Sequence, residues 1–75
     1  MITEFDIIAE MHELNSLSKK MGREYEHRKG NDGTWGLFDV NGNSYRPVYM
    51  SKTSAGFFAY VSLLKNLYKQ GKIGN

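Results

Sequence analysis

The apolar positions of the chain change their spacing several times, and each spacing predicts an element. From Ile2 to Met21, the residues Ile2, Phe5, Ile8, Met11 and Leu14 recur at three-residue steps, joined by Ile7, Leu17 and Met21. That recurrence predicts a helix over residues 3–21 with the series as its apolar stripe. Thr3 is the expected N-cap, and Asp6, three residues on, supplies a capping box. Lys19 and Lys20 suit the last turn, and Gly22 suits the position just beyond it, where a left-handed backbone is common. Asn15-Ser16 is the weak point, because both residue types favour caps over helix interiors.

Between Arg23 and Lys29, Tyr25 and His27 alternate with Glu24, Glu26 and Arg28. The segment 23–29 reads as either a charge-guarded edge strand or a loop. Gly30-Asn31-Asp32-Gly33 is a turn. Two β-rich runs, 34–40 and 44–50, then flank Asn41-Gly42-Asn43, and Asn-Gly between such runs signals a hairpin. Pro47 cannot donate to a ladder, so the second run is expected at a sheet edge. Ser51 is the expected cap of a second helix over 52–70, which carries Phe57, Phe58, Tyr60, Val61, Leu64, Leu67 and Tyr68 and stops at Gly71. Gly56 within its first turns costs up to ~1 kcal/mol relative to alanine, which points to close packing there. Lys72 to Asn75 should fray. The fold class is α+β: an N-terminal helix, a small antiparallel sheet of two or three strands, and a C-terminal helix. The simplest arrangement lays both helices across one face of the sheet.

A two-residue hairpin loop, Asn41-Gly42 or Gly42-Asn43, assigns the side chains to faces, and both registers give the same split. Trp35, Leu37, Val48 and Met50, with Asp39 and Arg46 near the turn, form the expected core face. Gly36, Phe38, Val40, Tyr45, Pro47 and Tyr49 form the other. That second face holds three aromatic rings and no charge. If the helices cover only the first face, it is an exposed patch of a few hundred Å², a size at which binding roles begin. Tyrosine suits such a place, since its ring is apolar and its hydroxyl tolerates water. A three-residue loop with a bulge would break the assignment.

Composition narrows the picture. Seventy-five residues make one domain spanning the whole chain, 1–75. The absence of cysteine excludes disulfides and thiolate zinc sites. No apolar run approaches the ~20 residues of a membrane span, and the acidic start of the chain is unlike a basic leader, so a cytoplasmic protein without membrane contact is expected. The net charge of +2 hides an asymmetry. Glu4, Asp6, Glu10 and Glu13 lie in the first thirteen residues with no base, whereas Arg46, Lys52, Lys65, Lys69 and Lys72 follow Val40 with no acid. Matching of helix dipoles explains much of this.

No catalytic constellation emerges. His12 and His27 lack ligand spacing, and Met11-His12-Glu13 is not a zinc-binding motif. Glu10 and Glu13 share a helix face but read as solvated carboxylates rather than an acid–base pair. Gly30-Asn31-Asp32-Gly33 lacks the lysine and helix of a phosphate loop. No enzyme, cofactor or metal is expected. Lys65, Lys69 and Lys72 follow i, i+4, i+7 spacing and would form a basic ridge. With Arg28 and Lys29 and the aromatic face, they are candidate nucleic-acid contacts.

The run Gly33-Thr34-Trp35-Gly36-Leu37-Phe38-Asp39-Val40-Asn41-Gly42-Asn43, the tyrosine-bearing strand after it, and Ser51-Lys52-Thr53 opening a helix are loosely similar to the arm-binding domains of tyrosine integrases. The likeness covers under half of the chain, from Gly33 to Leu64. It implies a three-stranded sheet placed on DNA. The leading helix is extra, and of the usual strand Arg and Lys residues only Arg46 is present.

Two functions are expected from the sequence. The first is a non-catalytic protein-binding module, of the kind found among phage and mobile-element accessory proteins that inhibit a host protein. It would use Phe38, Tyr45 and Tyr49, with Arg46, or the bare strand edge around Pro47. The alternative is nucleic-acid binding through the basic helix end and the aromatic face. Homodimerisation through the same face is a third use of it.

Overall fold

A computed structural model describes residues 1–72 and shows the order α1 (Glu4–Ser18), a 3-10 turn (Lys19–Met21), β1 (Glu24–Lys29), β2 (Trp35–Asn41), β3 (Ser44–Ser51) and α2 (Ser54–Lys69). The segment 23–29 is a strand, so the antiparallel sheet has three strands in the order β1-β2-β3. Pro47 lies on an edge strand, as its missing N–H requires. Both helices pack on one face of the sheet and against each other.

Local chemistry sets the helix ends. The Thr3 hydroxyl accepts from the Asp6 amide at 3.2 Å, and the Asp6 carboxylate accepts from the Thr3 amide at 2.8 Å, completing the capping box. These bonds hold the Asp6 carboxyl below its ordinary value. The second helix is capped by Thr53 rather than Ser51: the Thr53 hydroxyl accepts from the Gly56 amide at 3.0 Å, while Ser51 ends β3. The packing expected at Gly56 is there, since a Cβ would stand 2.8 Å from the Ser51 hydroxyl and 2.9 Å from that of Thr53.

The two helical segments end alike. Gly22 (φ 76°) and Gly71 (φ 70°) take the left-handed conformation. The next amide reaches back to an orphan carbonyl in each case, Arg23 to Ser18 at 3.0 Å and Lys72 to Leu67 at 3.0 Å. Lys72 is therefore held where fraying was expected; Ile73, Gly74 and Asn75 lie outside the described residues.

The core consists of Ile7, Met11 and Leu14 from α1, Tyr25, Trp35 and Leu37 from the sheet, and Phe57, Val61, Leu64 and Tyr68 from α2. The stripe expected for α1 is only half correct. Three-residue steps fall about 60° short of a helical turn, so the series Ile2, Phe5, Ile8, Met11, Leu14 winds around the helix instead of marking one side. Phe5 is 82% exposed and Ile8 is exposed, whereas Ile7, Met11, Leu14 and Ser18 share the buried side.

Polar groups finish this layer. Asn15 brackets the backbone of Tyr25 on the outer edge of β1, accepting from its amide at 2.8 Å and donating to its carbonyl at 2.9 Å. The side chain continues the sheet by one step. The Tyr25 and Tyr68 hydroxyls meet at 2.7 Å in the core, and burial first, then this bond, pushes the Tyr68 phenol up.

Three contacts between the helices link residues 52 apart: Ser54 with the Ile2 carbonyl, Ser62 with Glu10, and Lys65 with Glu13. A constant offset means that α1 and α2 run parallel and in step. Both C-termini therefore lie at one end of the molecule. Among the described residues no helix is long and apolar enough to cross a membrane.

Candidate functional site

The hairpin closes on the pair Asn41↔Ser44, so its loop is Gly42-Asn43, one of the two expected registers. From there Val40↔Tyr45, Asp39↔Arg46 and Phe38↔Pro47 follow. The ladder then slips: Leu37 pairs with Tyr49, which leaves Val48 as the extra residue of a bulge. A single extra residue exchanges the faces of everything beyond it. Tyr49 therefore turns to the helix side, where its ring stacks on Tyr60 at 4.1 Å with an interplanar angle of 1°. Met50 turns to the opposite side, beside Gly36. The expected placement of Tyr49 on the outer face and Met50 in the core is thus reversed.

No element among the described residues covers the outer face. It presents Glu24, Glu26 and Arg28 from β1, Gly36, Phe38 and Val40 from β2, and Tyr45, Pro47 and Met50 from β3. Tyr45 is 46% and Met50 is 55% exposed. The Phe38 ring and the Met50 sulfur lean over Gly36, where a Cβ would stand 2.9 Å from one and 3.0 Å from the other. Arg28 lies across the rings, its guanidinium carbon 4.6 Å from the Tyr45 centroid and 5.6 Å from that of Phe38. Glu26 holds it there at 3.2 Å. A hollow of about 370 Å³ remains beside these groups, bounded by Arg28, Gly36, Phe38, Met50 and the turn that follows β1.

The residues expected to touch nucleic acid are not brought together. Lys65 is drawn into the helix interface, 2.9 Å from Glu10 and 3.4 Å from Glu13, with its side chain 13% exposed. The basic ridge is therefore broken at its first member. Glu10 is buried rather than solvated, and it also accepts from Ser62 at 2.6 Å. Burial pushes the Glu10 carboxyl up, but the bonds from Ser62 and Lys65 outweigh it and hold the group below its ordinary value. Lys29 lies over Trp35 on the helix side of the sheet, at 5.1 Å. Lys69 and Lys72 stay exposed at the end of α2.

That end holds a second site, which sequence reasoning missed. Gly22, Arg23, Asp39, Val40, Asn41, Ser44 and Arg46 enclose a polar concavity of about 440 Å³ between the end of the first helical segment and the hairpin. The neighbouring Tyr25 phenol, then that of Tyr68, holds the Arg23 guanidinium above its ordinary value. Among the described residues no carboxylate stands within 4.0 Å of the charged nitrogens of Arg23 or Arg46. Two signals for the sheet-face site were in the sequence. A glycine inside a strand marks a close approach, and a proline there marks an edge or a bulge.

His12 is exposed on α1, and His27 stacks near Trp35 at 6.2 Å, so the two histidines lie on different elements. The sequence and the fold match no known family, no curated protein and no solved structure.

Proposed function

We propose that the chain is a non-catalytic binding module that seats a polypeptide partner on the open face of its sheet. The observation that carries this reading is the uncovered apolar centre formed by Phe38, Tyr45, Pro47 and Met50, with a hollow beside Gly36. An apolar centre with a charged rim is the usual anatomy of a protein interface. The charge on this face argues against nucleic acid. Its one cation, Arg28, is already held by Glu26 and by two rings, and Glu24 and Glu26 repel phosphate. The partner is a protein surface that inserts an apolar side chain into the hollow and sets a basic group against Glu24. Tyr45 and Met50 are the anchors. Tyr49 belongs to the fold.

The test uses the immobilised protein to capture partners from a lysate of the source cells. Wild type should retain a protein that Met50→Asp and Tyr45→Ala lose, with circular dichroism unchanged in both variants. Against a purified partner, Tyr45→Ala should weaken binding by ~1–2 kcal/mol, about 5- to 30-fold. Equal retention by all three proteins would overturn the reading. Sedimentation of wild type shows whether the occupant is instead a second copy, in which case the mass rises with concentration and Met50→Asp abolishes the rise.

A further inference from the structure

The parallel helices bring cations together that lie far apart in the chain. Lys19 and Lys20 close the first helical segment, Lys69 and Lys72 close α2, and Arg23 and Arg46 line the polar concavity between them and the hairpin. All six residues are exposed. Among the described residues only Glu24 and Asp39 answer them locally. Glu10 and Glu13 are taken by Lys65, and Glu4 and Asp6 lie at the other end, in the first turn of α1. The two helix C-termini add partial negative charge amounting to about half an elementary charge each, which offsets one cation in total and leaves the end strongly positive.

We infer that the concavity between Arg23 and Arg46 is a phosphodiester-binding site, through which this end of the molecule grips the backbone of a nucleic acid. It is separate from the open sheet face and goes beyond the protein-binding role proposed for that face. Three features select this ligand. The guanidinium fork fits phosphate oxygens with two parallel hydrogen bonds, and among the described residues neither fork has a carboxylate within 4.0 Å, although Asp39 shares the concavity. The concavity is lined by polar groups, with Val40 its one apolar side chain, so it suits an anion and not an apolar group. The four lysines stand at the C-terminal ends of the two parallel helices, at the same end of the molecule, and extend the positive charge that a ligand with a continuous run of charge requires. The bases are not read here, because the site offers no aromatic ring on which to stack them.

The experiment measures fluorescence anisotropy of short labelled random-sequence duplex and single-stranded DNA against the full chain, from low to physiological salt. Wild type should bind at low salt, with log affinity falling linearly as log salt rises. Arg23→Gln and Arg46→Gln should each weaken binding several-fold and make the slope shallower by about one unit. Lys52→Gln, near the opposite end, should change neither quantity. Arg46→Lys should recover part of the loss.

Four results would overturn the inference. They are no binding at low salt, a double variant that binds like wild type, a Lys52→Gln loss as large as that of Arg46→Gln, and equal binding to polyglutamate, which would make the ligand any acidic chain. If Arg23→Gln disturbs the fold through Tyr25, Arg46→Gln decides alone. Met50→Asp should leave DNA binding intact, so failure of the sheet-face reading and failure of this one are separable.

Discussion

The two faces of the sheet are built from the same three strands and carry similar amounts of aromatic and aliphatic side chain, yet they behave as opposites. On the helix side Trp35 and Leu37 are buried at 4% and 0% exposure, and Tyr49 is stacked on α2. On the outer side Tyr45 and Met50 stay in water, and Phe38 is screened by one arginine. The difference does not lie in residue type. It lies in which side the two helices occupy, and in one bulge that assigns Tyr49 to one side and Met50 to the other. An apolar residue contributes to stability in proportion to the surface it loses from water, so the outer residues are available for binding because they contribute little to folding.

The sharpest way to break this contrast is to truncate one residue on each face. Leu37→Ala removes a side chain with no exposure and leaves a cavity, so it should cost ~2–5 kcal/mol. In a chain of this length that is a large share of the total stability, and the variant should unfold well before wild type does in urea. Tyr45→Ala should cost within about 0.5 kcal/mol, as surface changes generally do. Urea titrations followed by circular dichroism compare the two directly. Similar costs would mean that the outer face is covered in solution.

A second test concerns how the helix side is fastened. Apolar packing alone leaves the outer edge of β1 bare. Asn15 closes it by pairing with both backbone groups of Tyr25. Asn15→Ala strands a partly buried amide and carbonyl, so it should cost about 1–3 kcal/mol. Amide exchange at Tyr25 should accelerate, while exchange in β3 stays as in wild type. An unchanged rate at Tyr25 would mean that water replaces the side chain without loss.

Asn15 also shows which parts of this molecule were legible in advance. It reads as a weak point of α1 because its local preference runs against a helix interior, and its real role depends on a strand ten residues further on. Features fixed by neighbours were legible: the capping box at Thr3 and Asp6, the stops at Gly22 and Gly71, the hairpin and the edge position of Pro47. Features fixed at a distance were not. The bulge at Val48 adjusts β3 to β2, and Pro47 beside it marks an edge or a bulge without deciding between them. The buried side of α1 was misread because an apolar residue every three positions suggests a stripe that the 3.6-residue turn does not support. The expected binding set divided for the same reasons: Phe38 and Tyr45 remain on the open face, Tyr49 moves to the core side, and Arg46 turns to the polar concavity. The gathering of cations at one end needed the knowledge that the helices run parallel.

A smaller effect than those at Leu37 and Asn15 is expected from the ion pair between the helices, and it separates the two faces by pH. Glu10 is held below its ordinary value of 4.5 in the folded protein, so its contribution is fully present above that pH and is lost as pH falls through the lower folded value. Lys65 is held above its ordinary value of 10.5, chiefly by the bond to Glu10, so its contribution is present below that pH and is lost as pH rises through the folded value. Stability should therefore form a plateau between these limits and fall at both ends. Glu10→Gln keeps the shape and most of the hydrogen bonding but removes the charge. It should lower plateau stability by about 1 kcal/mol, or roughly 4–8 °C in Tm, and flatten the acid limb. Tyr45 lies on the opposite face of the sheet, so Tyr45→Ala leaves this ion pair in place and should keep the shape of the profile. If Glu10→Gln retains the full acid limb, the limb comes from another carboxylate, with the Asp6 capping box the next to test.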